Sequence, residues 1–228
     1  MIKRSSKSKL PDTRDALSRD WIPFLERHNL VPLLVPNNLK DPVKFLSNFD
    51  ISSLILTNGN NVGEAIKDNS KSDSYSQSTE YSFERDSTET VLVDFARKKK
   101  IPILGVCRGL QFLNVYFGGN LSRNLKTLFP NEKHVAHNHI VTITDESMRN
   151  KLNKQQYEVN SFHNQGVQLT DLAKPLIPFA VANQLIEGFY HSSENIIAVQ
   201  WHPERETPNL ELDNFIMSTH FINKETQQ

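Results

Sequence analysis

Ile101-Pro-Ile-Leu-Gly-Val-Cys-Arg-Gly109 holds the only cysteine of the chain, and its reading decides the fold. A short apolar run ends at Gly105. Cys107 follows, then Arg108 and Gly109, and a helical pattern of Leu110, Gln111, Phe112 and Leu113 begins at once. That is the strand, sharp turn and helix of a nucleophile elbow, G-x-C-x-G, with sulfur where a serine oxygen is more familiar. Small residues on both sides let the backbone turn tightly. The helix behind the turn aims its N-terminal amides at the side chain, and that positive end favours a thiolate. A lone cysteine is more often a small, inert, buried hydrophobe. The glycine spacing and the switch from strand to helix favour the nucleophile.

Outward from the elbow, helical and strand-like segments alternate. Upstream, Asp86 to Lys100 predicts an amphipathic helix that buries Val91, Leu92, Phe95 and Ala96, with its basic end at the negative pole of the helix. Before it, residues 67–82 are polar and serine-rich and read as a surface loop. Ser53-Leu-Ile-Leu-Thr57 predicts a buried strand closed by the turn cluster Asn58-Gly59-Asn60-Asn61. Val31-Pro-Leu-Leu-Val-Pro36 predicts another, and residues 41–48 a short helix. Residues 15–28 have helical spacing, with Pro23 marking a late start or a kink. Downstream, the elbow helix covers about 108–117 before Gly118-Gly119. Strands are expected at 139–144, 157–160, 179–189 and 195–201, and a last helix at about 209–222. The alternation argues for a mostly parallel sheet covered on both faces, with an antiparallel part in the strand-rich last third. Neither an internal repeat nor a second domain is read, so residues 1–228 are expected to form one domain.

Composition narrows the function. The chain has 228 residues, enough for one good core, and its 26 basic and 26 acidic residues cancel. That balance offers no basic field for nucleic acid. The stretch with Lys3, Arg4, Lys7 and Lys9 reads as a solvated end. No apolar run reaches membrane length and no cleavable leader opens the sequence. One cysteine cannot form an internal disulfide, which fits a reducing compartment. A cytoplasmic protein is expected, with neither nucleic acid nor membrane as partner.

A thiol nucleophile needs a base, and the base needs an orienting group. Among eight histidines, His202 stands out in Gln200-Trp-His-Pro-Glu204, directly after the apolar run 196–200. A strand ending there would place His202 on the same sheet edge as the elbow. Glu204 could then accept from the other ring nitrogen, as the carboxylate of a serine triad does. By position alone, a loop histidine and a solvated carboxylate are an equal alternative. His134, His137 and His139 form a second cluster. A metal site there is conceivable, but no cysteine or carboxylate is correctly spaced, so substrate contact or plain structure ranks ahead.

Gly-Val-Cys-Arg-Gly-Leu-Gln at 105–111, Gly118-Gly119 and Trp-His-Pro-Glu at 201–204 resemble the class I glutamine amidotransferase-like superfamily. Arg85-Asp86, Asn160-Ser-Phe-His163 with Gln165-Gly166, and Leu185-Ile-Glu187 look like its γ-glutamyl hydrolase branch, peptidase C26. The resemblance covers roughly residues 12–217. It implies an α/β, flavodoxin-like three-layer sandwich with a mostly parallel central sheet, and a catalytic triad of Cys107, His202 and Glu204. It also implies substrate contacts from the Gly59 and Arg108 amides, Gln111, Ser161, Phe162 and His163; the last three read equally as ordinary strand-end residues. Arg108 and Arg205 flank the catalytic residues and suit an anionic leaving group, with structural ion pairs as the alternative. The implied activity is hydrolysis of a γ-glutamyl C–N bond in a small molecule, with no metal and no organic cofactor. A glutaminase subunit feeding ammonia to a synthetase partner is the alternative, and a homodimer is left open. Arg14-Asp15-Ala-Leu17, Pro36-Asn37 and Arg205 are similar to γ-glutamyl-CDP-amidate hydrolases of capsule biosynthesis. Two features depart from the pattern: Met-Ile-Lys-Arg-Ser-Ser leaves only a stub of a first strand, and the turn at 58–60 has one glycine instead of two.

Overall fold

The computed structural model describes residues 4–5, 13–63, 81–128 and 135–221. Their elements, in chain order, are β1 (Arg4–Ser5), β2 (Thr13–Arg14), α1 (Trp21–Arg27), α2 (Pro42–Leu46), β3 (Leu54–Leu56), α3 (Phe83–Lys99), β4 (Ile103–Val106) and α4 (Arg108–Tyr116). Then come α5 (Leu125–Leu128), β5 (Val135–Ile143), α6 (Glu146–Leu152), β6 (Gln156–Phe162), β7 (Val167–Gln168), β8 (Leu176–Ala182), β9 (Leu185–His191), β10 (Ile196–Val199) and α7 (Leu210–Ile216).

One sheet has the order β3-β4-β10-β9-β8-β5-β6, with β7 beside β9. Only β3–β4 and β4–β10 are parallel. The other five described pairings are antiparallel. The sheet is therefore mixed, and the expectation of a mostly parallel one is corrected. The reason lies in the connections. Residues 183–184 join β8 to β9 and a few residues join β9 to β10, too short for the crossover that a parallel pair requires.

Side chains alternate across the sheet, as a pleated strand dictates. Leu104, Val106, Ile197 and Val199 pack with Trp21, Phe24 and Leu25 of α1 and Leu212 and Ile216 of α7. Ile103, Ile196 and Ala198 pack on the other face with Val93 and Ala96 of α3 and Leu110 and Leu113 of α4. This gives three layers with the elbow strand at their centre, buried on both faces.

The ends of the helices follow local rules. Asp41 accepts from the Lys44 amide and Pro42 occupies the first turn of α2. Pro23 lies in the first turn of α1, where no intrahelical donor is missed, so the helix starts late instead of kinking. Ser82 caps α3, its hydroxyl accepting from the Arg85 amide. The loop expected at 67–82 otherwise lies outside the described residues. Periodicity does not predict α6, but Asp145 caps it by accepting from the Met148 amide.

The strand expected at 31–36 does not form. No described strand pairs with β3 on the side away from β4, and β1 pairs only with β2. Val31 is 94 % exposed, and Leu33 and Leu34 are also exposed. A groove of about 700 Å³ runs between this segment and β3, lined by Leu17, Leu25, Leu46, Ile55, Leu92 and Phe95 among others. None of the three expected catalytic residues lines it. Among the described residues, no helix is long and apolar enough to cross a membrane.

The elbow glycines serve close approach. A Cβ on Gly109 would lie 2.2 Å from the Leu56 carbonyl oxygen, and one on Gly105 would lie 2.8 Å from the Gly109 carbonyl. The strand β3, the elbow strand and α4 therefore meet backbone to backbone. Gly109→Ala is expected to lower the free energy of unfolding by about 2–3 kcal/mol, because rigid backbone has to move. Urea unfolding followed by circular dichroism measures it, and an unchanged midpoint would contradict the packing.

Candidate active site

Cys107 sits between β4 and α4 with φ 53° and ψ −100°, a left-handed conformation that a non-glycine residue adopts at a cost. The turn is held from both sides. The Cys107 amide donates to the Val199 carbonyl at 2.8 Å, and the Gln111 amide donates to the Cys107 carbonyl at 3.2 Å. The strained residue thus faces the sheet edge at which β10 also ends.

His202 reaches that edge three residues after β10. Its amide donates to the Asn160 side-chain oxygen at 2.8 Å, and the Asn160 amide group donates to the carbonyls of His202 and Glu206 at 3.0 and 3.1 Å. Asn160 of β6 therefore clamps the whole His-Pro-Glu loop. Position along the chain did not assign this role; the three bonds span 42 to 46 residues and exist only once β6 lies beside the loop.

Nδ1 of His202 donates to Oε1 of Glu204 at 2.7 Å. The Asn58 side-chain nitrogen lies 3.3 Å from the same Nδ1, while its oxygen accepts from the Trp21 indole at 3.3 Å. The Glu204 contact is shorter and joins a donor to a charged acceptor, so it fixes the proton on Nδ1. Nε2 then remains on the side of the sulfur. Burial opposes charge on the imidazole, but Cys107 and then Glu204 outweigh it and raise its pKa from 6.5 to about 9. His202 and Glu204 are both buried, so this pair works in a weakly screened setting.

The remaining expected residues divide. Gly59, at the end of β3, has φ 147°, a conformation open to glycine, and is exposed. Phe162 packs edge-on against the His202 ring, with centroids 5.5 Å apart. The Arg205 guanidinium lies 4.1 Å from the Phe162 ring centre, its Nε pairs with Oε1 of Glu204 at 3.7 Å, the ion pair held as the alternative to a leaving-group contact, and its side chain is 30 % exposed. Gln111 donates to the Gln165 carbonyl at 2.8 Å and contacts Oε1 of Gln200 at 3.3 Å. Ser161 and His163 are buried. His137 is exposed, His139 lies beside Glu187 instead of forming a histidine cluster, and His134 is outside the described residues.

Arg108 is the exception. Its guanidinium is 1 % exposed and donates to Glu89 and Asp86 of α3. Arg85 donates to Glu89 at 2.8 Å, to the Thr57 carbonyl at 2.7 Å and to the Asn58 carbonyl at 3.1 Å. The anionic leaving-group contact expected of the Arg108 side chain is therefore replaced by a buried ion cluster. The Arg108 backbone amide keeps its place at the start of α4.

A family model for peptidase C26 matches residues 2–204. The chain belongs to the peptidase C26 family. Within it, the chain is 42% identical over 127 residues to a glutamine amidotransferase candidate of Schizosaccharomyces pombe, a match that covers 53% of this chain and 49% of that one. The chain thus spans about half the length of the first curated relatives it matches. A γ-glutamyl-CDP-amidate hydrolase of Campylobacter jejuni is 27% identical over 199 residues, 86% of this chain and 83% of that one. The solved structure of a glutamine amidotransferase from Thermotoga maritima superposes with a TM-score of 0.55 at 17% identity, over 81% of this chain and 69% of that one. That likeness shows a shared fold.

The raised His202 pKa has a signed consequence. A histidine held above its unfolded value stabilises the fold fully below pH 6.5, and that stability is lost as pH rises through about 9. The shift corresponds to about 3 kcal/mol. Ring titration of His202 by NMR is expected to show a midpoint near 9. Glu204→Gln should move that midpoint down by about one unit or more, since it removes one of the charges holding the proton.

Proposed function

We propose that this peptidase C26 chain is a cysteine-dependent hydrolase that cleaves a γ-glutamyl C–N bond and releases glutamate. The observation that carries the reading is a sulfur on a strained elbow that interacts with an imidazole whose far nitrogen is fixed by a buried carboxylate. With His202 held as an imidazolium, its Nε2 already carries the proton given up by the sulfur, and the thiolate attacks the γ-carbonyl carbon. Amides of Arg108 and Gly59 are the donors available to the oxyanion, each worth about 3 kcal/mol of barrier in such sites. The imidazolium returns its proton to the leaving nitrogen as the C–N bond breaks. Water, deprotonated by the same imidazole, then attacks the glutamyl thioester and frees glutamate and the thiol. Glu204 orients the ring and balances its charge throughout.

The finer reading is a nucleotide-linked amidate as the leaving group. Two facts support it: the relationship to the Campylobacter jejuni hydrolase extends over most of the chain, and the partly exposed Arg205 lies over Phe162, which packs on the His202 ring. A guanidinium at that point suits a phosphate carried by the departing nitrogen.

Glutamate release from glutamine, γ-glutamyl amines and a γ-glutamyl nucleoside phosphoramidate tests both levels. Cys107→Ala is expected to abolish release, with the far-ultraviolet circular dichroism unchanged. Retained turnover would overturn the mechanism. Among wild-type rates, the conjugates should exceed glutamine in kcat/KM, because remote groups contribute binding energy to the reacting carbonyl. Arg205→Ala should cost about tenfold more on the phosphoramidate than on the γ-glutamyl amines, whose own loss reports the Arg205 contact with Glu204. A preference for glutamine would favour an ammonia-delivering glutaminase, and insensitivity to Arg205→Ala would discard the nucleotide substrate.

A further inference from the structure

Glu187 lies in β9 opposite the end of β10 and is fully buried. Its Oε1 is 3.7 Å from Nε2 of His163, and its Oε2 is 3.4 Å from Nε2 of His139. No well-aligned hydrogen-bond donor reaches either oxygen among the described residues, and no lysine or arginine there lies within ion-pair distance. A buried carboxylate left without a counter-charge is very unfavourable. Among the described residues, the groups that face it are His163 from the β6–β7 connection, His139 from β5, and the Gln200 amide just after β10, which donates to the Glu187 carbonyl at 2.8 Å.

The second nitrogen of His163 fixes one of its two ring hydrogens. Nδ1 lies 3.0 Å from the Gln165 carbonyl oxygen. A carbonyl only accepts, so Nδ1 bears a hydrogen. Nε2 faces the carboxylate, where a bare lone pair would be repelled, so it also favours a hydrogen. The same Gln165 carbonyl accepts from the Gln111 side chain at 2.8 Å, and Gln111 contacts Gln200 at 3.3 Å. The contacts close a ring: Glu187, His163, the Gln165 carbonyl, Gln111, Gln200 and back to the Glu187 backbone.

We infer that Glu187 is a positioning residue that holds His163 as an imidazolium, and that this cation fixes the Gln165 carbonyl and, through it, the Gln111 amide beside the nucleophile. The role of Gln111 in gripping the glutamyl head rests on the proposed γ-glutamyl reading; the charge state of His163 does not. His139 closes the second oxygen of the carboxylate. The cluster at 137–139 thus contributes one histidine to a charge-balancing network.

Two measurements separate these parts. In wild-type protein labelled with nitrogen-15, both ring nitrogens of His163 should show the protonated imidazolium signature at neutral pH. Glu187→Gln should convert it to the neutral Nδ1–H tautomer, and Glu187→Asp should keep it charged. A neutral His163 in the wild type overturns the inference, whatever the variants do. In steady-state kinetics on a γ-glutamyl substrate, Glu187→Gln is expected to raise KM by about tenfold or more with kcat within about threefold, and Glu187→Asp to recover part of the loss. Alkylation of Cys107 by iodoacetamide should be unchanged in both variants. An unchanged KM, or a loss confined to kcat with slowed alkylation, would contradict a positioning role on the glutamyl side. If the wild type hydrolyses no γ-glutamyl compound, the substrate reading falls, and the spectrum of His163 still decides the charge pair.

Discussion

Arg85 and Arg108 on one side, Asp86 and Glu89 on the other, form a buried cluster of four charges that joins α3, α4 and the turn after β3. Arg108 follows the nucleophile directly. Arg85 binds the carbonyls of Thr57 and Asn58, and so fixes the turn that carries Gly59. The Gly63 amide adds a hydrogen bond to Asp86 at 3.0 Å. Burial opposes charge on Glu89, but Arg108 and then Arg85 hold its carboxyl below the usual carboxylate range. Removing one member of such a cluster leaves an uncompensated buried charge, typically at a cost of about 3–5 kcal/mol. The relative placement of the two candidate oxyanion amides therefore depends on ion pairing below the site.

A second constraint acts at the elbow. The left-handed Cys107 is held by hydrogen bonds to Val199 and from Gln111, and Gly109 packs against β3 with no room for a side chain. Strain at a single residue persists when its surroundings over-determine it. Here the surroundings are the two parallel pairings of the sheet, β3–β4 and β4–β10, which are also the ones that bring Cys107 and the His202 loop to the same edge. The antiparallel half supports the site from the far side. Asn160 of β6 holds the His202 loop, and Glu187 of β9 faces His163.

The groove beside β3 shows the limit of reading apolar runs. Val31 to Val35 has the apolar composition of a buried strand, but unlike β4 it carries a proline, Pro32, inside the run. A strand is made by its neighbour, and the described residues place no partner next to it or on the outer edge of β3. The small ribbon of β1 and β2 pairs with itself. The run therefore lines a groove with its side chains partly in water, away from Cys107.

The elbow and most of the helix and strand positions were legible in the residues themselves, because a glycine-flanked cysteine between an apolar run and a helix carries its geometry locally; His202 and Glu204 stood even with a loop histidine and a solvated carboxylate until the resemblance named them. The family resemblance joined the two halves. What the tertiary structure decided depends on contacts between distant segments. Arg108 reads from sequence as a cation beside a nucleophile; only the fold shows α3 presenting two carboxylates to it. Asn160 and Glu187 stand in stretches that carry the resemblance, but what each side chain touches appears only once β6 and β9 lie beside the loops they serve. The mixed direction of the sheet, too, was fixed by which strands became neighbours, since periodicity of two gives the buried face of a strand and says nothing about the direction of its partner.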